Sequence, residues 1–156
     1  MRESFAVASL FVFALLAAPV VAQEDRPNLT GTWQLDAAKS ELKSIKLNGA
    51  TWVIQEGDNA IHLTESDDGK GKKLEFQCTT DGKECKGGGD KTKASFWFNG
   101  AMLVEMETKG DHVTRYRMSV SSDGKTMTVQ STHIVPQDDR NDTLVFAKLA
   151  ATSSKL

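Results

Sequence analysis

The stretch His112-Val113-Thr114-Arg115-Tyr116-Arg117-Met118-Ser119-Val120-Ser121-Ser122-Asp123-Gly124-Lys125-Thr126-Met127-Thr128-Val129-Gln130-Ser131-Thr132-His133-Ile134 decides the fold. Two alternating runs flank Asp123-Gly124, the strongest short-range hairpin signal a sequence offers. A two-residue turn there sets Val120 opposite Met127, Met118 opposite Val129, Tyr116 opposite Ser131 and Thr114 opposite His133, all on one face. Arg115, Arg117, Gln130 and Thr132 take the other. One apolar and one polar face are what a half-buried antiparallel strand pair requires.

The same device repeats on both sides. Asn99-Gly100 joins Phe96-Trp97-Phe98 to Met102 through Met106, with Phe96, Phe98 and Leu103 on one face and Trp97, Met102, Val104 and Met106 on the other. The turn at Lys109-Gly110-Asp111 then places Leu103 and Glu105 on the face of Tyr116 and Met118. Toward the N-terminus, Gly31 to Leu35 reads as the first strand, with Trp33 and Leu35 sharing a face. Trp52 and Ile54 belong to the next strand, Ile61 to Thr64 to a third, and Leu74, Phe76 and Cys78 to a fourth. Ala37 to Lys46 offers only Leu42 and Ile45 as apolar anchors, so it is at most a short helix or a lid. Gly87-Gly88-Gly89-Asp90 reads as a flexible loop, and no helix pattern or Lys-Ser/Thr follows to make it a phosphate cradle. Leu144-Val145-Phe146 is the closing strand.

The fold class is therefore all-β, an antiparallel meander of about 8 to 10 strands. Closing it into a barrel removes the exposed edges and makes the first and last strands pair. A two-sheet sandwich is the main alternative. The polar and mostly charged outward positions Lys73, Glu75, Gln77, Arg115 and Arg117 argue against an outer-membrane barrel.

The 156 residues carry a formal net charge of -2, which allows one domain and gives no basic field for nucleic acid. Residues 1–22 read as a secretory signal: Arg2, an apolar core from Phe5 to Ala18, and Val20-Val21-Ala22 as the cleavage site. That core is too short to span a bilayer. The expected organisation is a signal at 1–22, a leader at 23–28, a barrel domain at 29–149 and a tail at 150–156, with no membrane span after signal removal and a secreted or periplasmic location. Ser154-Lys155-Leu156 matches a peroxisomal address that an exported chain does not use.

Gly31-Thr32-Trp33 near the start of an exported all-β chain resembles the Gly-x-Trp signature of lipocalins and the wider calycin group. Residues 28–148 more broadly look like small exported bacterial proteins described as lipocalin-like. The matching segments are Gly31-Thr32-Trp33-Gln34-Leu35-Asp36 with Ala38-Lys39-Ser40, Cys78 through Cys85, and Ser122 through Val129. The resemblance implies a barrel and export and brings no activity with it. Lipocalins commonly place an Arg from the last strand across the first-strand Trp, whereas Leu144 to Leu149 offers only Lys148.

Cys78 and Cys85 are the only cysteines, an even pair in an exported chain. A turn at Asp81-Gly82 sets them directly opposite, within disulfide reach, and a loop of that size implies a stabilisation of about 2.5 kcal/mol. His62, His112 and His133 fall on different strands, with His62 facing outward, and no metal-ligand spacing links them. No Ser sits in a Gly-x-Ser-x-Gly elbow, so no catalytic residue is assigned. No cofactor motif is present. Arg115 and Arg117 project together on the charged face, either solvated or gripping an anion.

Two functions fit. In one, the interior binds a small apolar molecule through Trp33, Trp52, Phe76, Phe96, Phe98, Glu105, Tyr116, Met118 and His133. In the other, those side chains fill the core and the band of Trp97, Met102, Val104 and Met106 meets a protein partner or a second copy. That outward band asks for cover, from Ala37 to Lys46 or from another protein. The inward polar residues Glu105, Tyr116, Ser131 and His133 either satisfy one another, or line a water-filled barrel mouth where Glu105 and His133 reach solvent, or fix the polar end of a ligand.

Overall fold

Asp123-Gly124 turns the chain back as its flanking alternation requires. The four expected pairs, Val120 with Met127, Met118 with Val129, Tyr116 with Ser131 and Thr114 with His133, are all present. The tip is wider than a two-residue turn. Gly124 N donates to Ser121 O at 2.8 Å, and Ser121 N reaches Thr126 O at 2.9 Å. Asp123 organises it by accepting from the Ser121 hydroxyl and the Lys125 amide.

The computed structural model describes residues 26–68, 71–88, 91–139 and 141–150. The expected signal, the first half of the leader, most of the tail, Gly69, Gly89 and Asp90 lie outside them. The elements are β1 (Gly31–Leu35), β2 (Ala50–Glu56), β3 (Ala60–Asp67), β4 (Lys73–Thr79), β5 (Asp81–Lys86), β6 (Lys93–Asn99), β7 (Met102–Lys109), β8 (His112–Val120), β9 (Thr126–Val135) and β10 (Asn141–Lys148). They form one antiparallel sheet ordered β4-β3-β2-β1-β10-β9-β8-β7-β6-β5, curled into a nearly closed barrel. The described residues contain no helix. β1 pairs with β10, as closure of a meander demands.

The gap in the ring therefore falls in mid-chain, between β4 and β5. The expected hairpin ladder around Asp81-Gly82 is absent: β4 pairs only with β3, and β5 only with β6. Asp81 spends its carboxylate on Thr79, the Lys83 amide and the Lys83 ammonium, which shapes a corner instead of a turn between paired strands. The cysteines still meet. Cys78 and Cys85 form a disulfide across the gap with Cα atoms 5.7 Å apart. Gly88 N, donating to Glu75 O at 2.7 Å, adds a single bridge. Gly87 is part of that closure, because a Cβ there would stand 3.0 Å from both Leu74 Cδ1 and Phe76 Cε1. The first half of the triple-glycine run is thus a seam packed on the core, where the sequence suggested only a flexible loop.

Register stacks the inward side chains in rows. Leu35, Phe146, Met127 and Val120 make one, and Leu144, Val129, Met118, Leu103 and Phe98 the next. Trp33, Phe76, Phe96, Met118 and Phe146 have no exposed surface, so most of the barrel is packed core. The outward band is less open than alternation implies. Val104 is only 2% exposed, flanked by Trp97 and Arg117 on neighbouring strands, and Trp97, Met102 and Met106 are half-buried. Ala37 to Lys46 does not cover it; that segment is tied to β10.

Candidate functional site

In an antiparallel meander alternate connections fall at the same end of the barrel. The β1–β2, β3–β4, β7–β8 and β9–β10 connections share one end, and the interior opens there. A cavity of about 430 Å³ is lined by apolar Ile45, Leu47, Ala50, Trp52, Leu74 and Leu144, by Tyr116 and Glu65, and at its rim by Ser66, Asp67, Lys72, Lys73 and Lys109. Trp52 faces Glu65 on β3, and Glu65 faces Leu74 on β4, so the carboxyl is set between two apolar walls. The Trp52 ring meets Tyr116 edge-on at 6.4 Å and lies 4.8 Å from Phe146.

One interior row is polar, and its Tyr116 lines the cavity. Asp142, Ser131, Tyr116 and Glu105 stand in register across β10, β9, β8 and β7. Glu105 and Ser131 are fully buried, and neither Glu105 oxygen nor the Ser131 hydroxyl has a hydrogen-bond partner. The expected mutual satisfaction of Glu105, Tyr116, Ser131 and His133 is not seen, and Glu105 does not reach solvent. Side chains directly opposed in a ladder stand side by side about 5 Å apart, too far to hydrogen-bond unless they lean together. Glu65 Oε1 is likewise buried and unpartnered. Burial, and then the neighbouring Glu107 carboxylate, push the Glu65 pKa up to about 8. Burial, then Glu65 and Glu107, push Glu105 well above the carboxylate range, and burial with the same acidic neighbours raises Tyr116.

Asp142 is the exception, because its carboxylate holds the lid. Oδ1 accepts the amides of Lys43 at 2.5 Å and Ser44 at 2.8 Å, with Ile45 at 3.4 Å, and Oδ2 accepts the Ser44 hydroxyl. Burial alone would raise its pKa. The bonds from Ser44, Lys43 and Ile45 outweigh burial and hold it below the usual range. These amides explain why 37–46 is a lid without a helix: they point at a carboxylate, not at carbonyls four residues back. Leu42, Ile45 and Leu47 then pack on the core, and Ile45 and Leu47 roof the cavity.

The lid also brings Ser44 Oγ to 3.2 Å from His133 Nε2, with His133 Nδ1 3.7 Å from Asp138 Oδ2, the order of a nucleophile relay. The surrounding bonds oppose that chemistry. Ser44 gives its single hydroxyl proton to Asp142, and the amides of 43–45 that would have to stabilise an oxyanion are already occupied by the same carboxylate. The cluster is a latch.

Of the residues expected to bind a ligand, Trp52 and Tyr116 line the cavity. Phe76, Phe96, Met118 and Glu105 are buried in the core and do not line it, and the Arg26 guanidinium lies over Phe98, 4.7 Å from the ring centroid. Trp33 belongs to β1 and is fully buried, its indole donating to Leu29 O at 2.7 Å. His133 belongs to the latch. His62 points outward as expected, 2.8 Å from Glu75. Glu65 and Asp142 were not anticipated. For Glu65 the signal was present, since extending the alternation of Ile61 and Leu63 by one more step turns it inward.

Neither a protein-family model nor a curated protein sequence matches the chain. Solved structures do. Fatty-acid-binding protein 1 of Echinococcus granulosus aligns with a TM-score of 0.56 at 12% identity, covering 78% of this chain and 98% of that one. A heat-soluble SAHS protein of Ramazzottius varieornatus aligns with a TM-score of 0.63 at 11% identity, covering 82% and 100%. The fold is a calycin-like β-barrel. A third structure, the REP1-NXSQ fatty acid transporter, agrees, with a TM-score of 0.58 at 18% identity over 79% of this chain and 97% of that one. In this calycin-like barrel the first-strand Trp33 is covered by Lys148 of the last strand, whose Nζ lies 5.1 Å from the ring centroid.

Proposed function

We propose that this chain is an exported, non-enzymatic barrel that binds a small, mainly apolar molecule at its lidded end. The observation that carries the reading is the cavity of about 430 Å³, walled by Ile45, Leu47, Trp52, Leu74 and Leu144 and marked by a few polar groups. Pockets of that size and composition are the usual form of a small-molecule site. Two of the structurally similar barrels are named for fatty-acid binding or transport, which supports the same class. The disulfide supports export, since such bonds persist in oxidising compartments. The occupation of Ser44 and its neighbouring amides by Asp142 supports a binding protein over an enzyme.

The experiment is a titration of delipidated protein with neutral apolar molecules such as retinol and long-chain alcohols, followed by Trp fluorescence. Trp52 in the cavity wall should report saturable binding at one site per chain. The absence of any saturable response, together with no retained molecule in an intact-mass spectrum of natively purified protein, overturns the proposal and leaves a filled structural barrel.

A further inference from the structure

We infer that the molecule held at this end carries a cationic head, an amine or similarly protonated nitrogen on an apolar body, and that Glu65 is its partner. This rests on the ligand-binding reading above and adds the ligand's charge to it. Among the described residues the interior holds unpartnered carboxyl groups and no buried cation to pair with them. Glu65, in the cavity wall, has a buried oxygen without a partner, and both oxygens of Glu105 lack one. Among the described residues the buried polar ones are Thr92, Glu105, Ser131 and Asp142, with no Lys, Arg or His.

An anionic head driven into this interior would meet carboxyl groups and no buried cation. An ammonium brings the positive charge beside which a buried carboxyl can ionise, and a hydrogen bond between ionised partners is the stronger kind. The ring faces and edges of Trp52 and Tyr116, 6.4 Å apart at 83°, border the same space, and aromatic faces attract cations. Glu65 itself stands between Trp52 and Leu74 in register, so a head meeting it leaves its apolar body against Ile45, Leu47 and Leu144. The elevated pKa of Glu65 agrees with a site in which a positive partner is wanting.

Lys72, Lys73 and Lys109 at the rim supply the competing arrangement, an anionic head held outside with its tail inward. A matched series separates the two. Dodecylamine, dodecanol and dodecanoate share one tail and differ in the head, and each is titrated into the delipidated full chain below its micelle concentration. The amine should bind at least about tenfold more tightly than the alcohol, with the carboxylate weakest. Glu65→Gln, nearly isosteric, should shrink the amine-to-alcohol ratio toward one, and Glu105→Gln should shrink it less. A tightest carboxylate, equal affinities for all three heads, or an amine preference that survives Glu65→Gln would each overturn the cationic head and leave the ligand-binding barrel standing. Failure of all three to bind removes the ligand-binding reading itself.

Discussion

Lys148 and Trp33 are cross-strand partners at the place where the ends of the meander meet, and the lysine stem runs over Gly31 to set its ammonium on the indole face. Gly31 has φ 151°, and a Cβ there would stand 2.5 Å from Lys148 Cε. The glycine and the tryptophan of the Gly-x-Trp signature are thus explained together: one makes room for the cation that covers the other. Gly31→Ala should cost about 1 to 3 kcal/mol from backbone strain and collision. Because the obstructing atom is the end of a flexible side chain, Lys148→Ala should recover part of that loss. A double-mutant cycle by urea denaturation measures the coupling, and strictly additive effects would contradict the contact.

The buried carboxyls make stability fall with rising pH. Glu65 has an ordinary unfolded pKa near 4.5 and a folded one of about 8. Its stabilising contribution is complete below pH 4.5 and is lost as pH rises through that window, because the unfolded chain ionises first. The slope is up to about 1.4 kcal/mol per pH unit for one group. Urea midpoints between pH 5 and 8 should therefore decline, and less steeply in Glu65→Gln. An unchanged slope in the variant would show that the Glu65 carboxyl is hydrated in the folded chain.

The latch should respond in the opposite sense. Asp142 is held below its ordinary pKa, so its contribution is present above about pH 4, the unfolded value, and is lost as pH falls through the folded one. Asp142→Asn removes the charge from four hydrogen bonds, which costs about 1 to 3 kcal/mol. The loss should be local. Limited proteolysis ought to cut first between residues 37 and 46, and protection of that segment equal to wild type would refute the latch.

Exported protein should contain no free thiol, as alkylation of denatured, unreduced material followed by mass spectrometry checks. Replacing both cysteines with serine should cost about 2.5 kcal/mol, the chain-entropy value for a short loop. Hydrogen exchange should accelerate most in β4 and β5, whose facing edges are joined, among the described residues, by the disulfide and the Glu75–Gly88 bridge instead of a ladder. Uniform acceleration throughout the barrel would assign the bond a global role.

The fold was legible wherever local chemistry decided it. Asp123-Gly124 and Asn99-Gly100 each place a turn residue with φ above zero, and alternation on either side then fixes register without knowledge of the rest. The β4–β5 gap was not legible, because a two-residue turn and a corner share the sequence Asp81-Gly82. What separates them is that β5 finds its partner in β6. The site was half legible. Tyr116 and Glu105 follow from parity, but the task of Asp142 depends on amides far away in sequence at 43–45, and no local pattern announces such a bond.

The position of the gap carries a consequence for how the chain assembles. All ladders but one join consecutive strands, so β1–β4 and β5–β10 are two meanders, each able to zip from its own turns at small loop-closure cost. The exception, β1 with β10, spans nearly the whole described sequence and rests on three pairs: Trp33 with Lys148, Gln34 with Ala147 and Leu35 with Phe146. It is the one ladder of high contact order, joined at long range only by the ties between the lid and β10 among those described above. We expect it to form after the folding transition state. Substitutions at Lys148 or Phe146 should then leave the refolding rate nearly untouched and appear almost wholly as faster unfolding, while the same loss of stability introduced at the Asp123-Gly124 hairpin slows refolding.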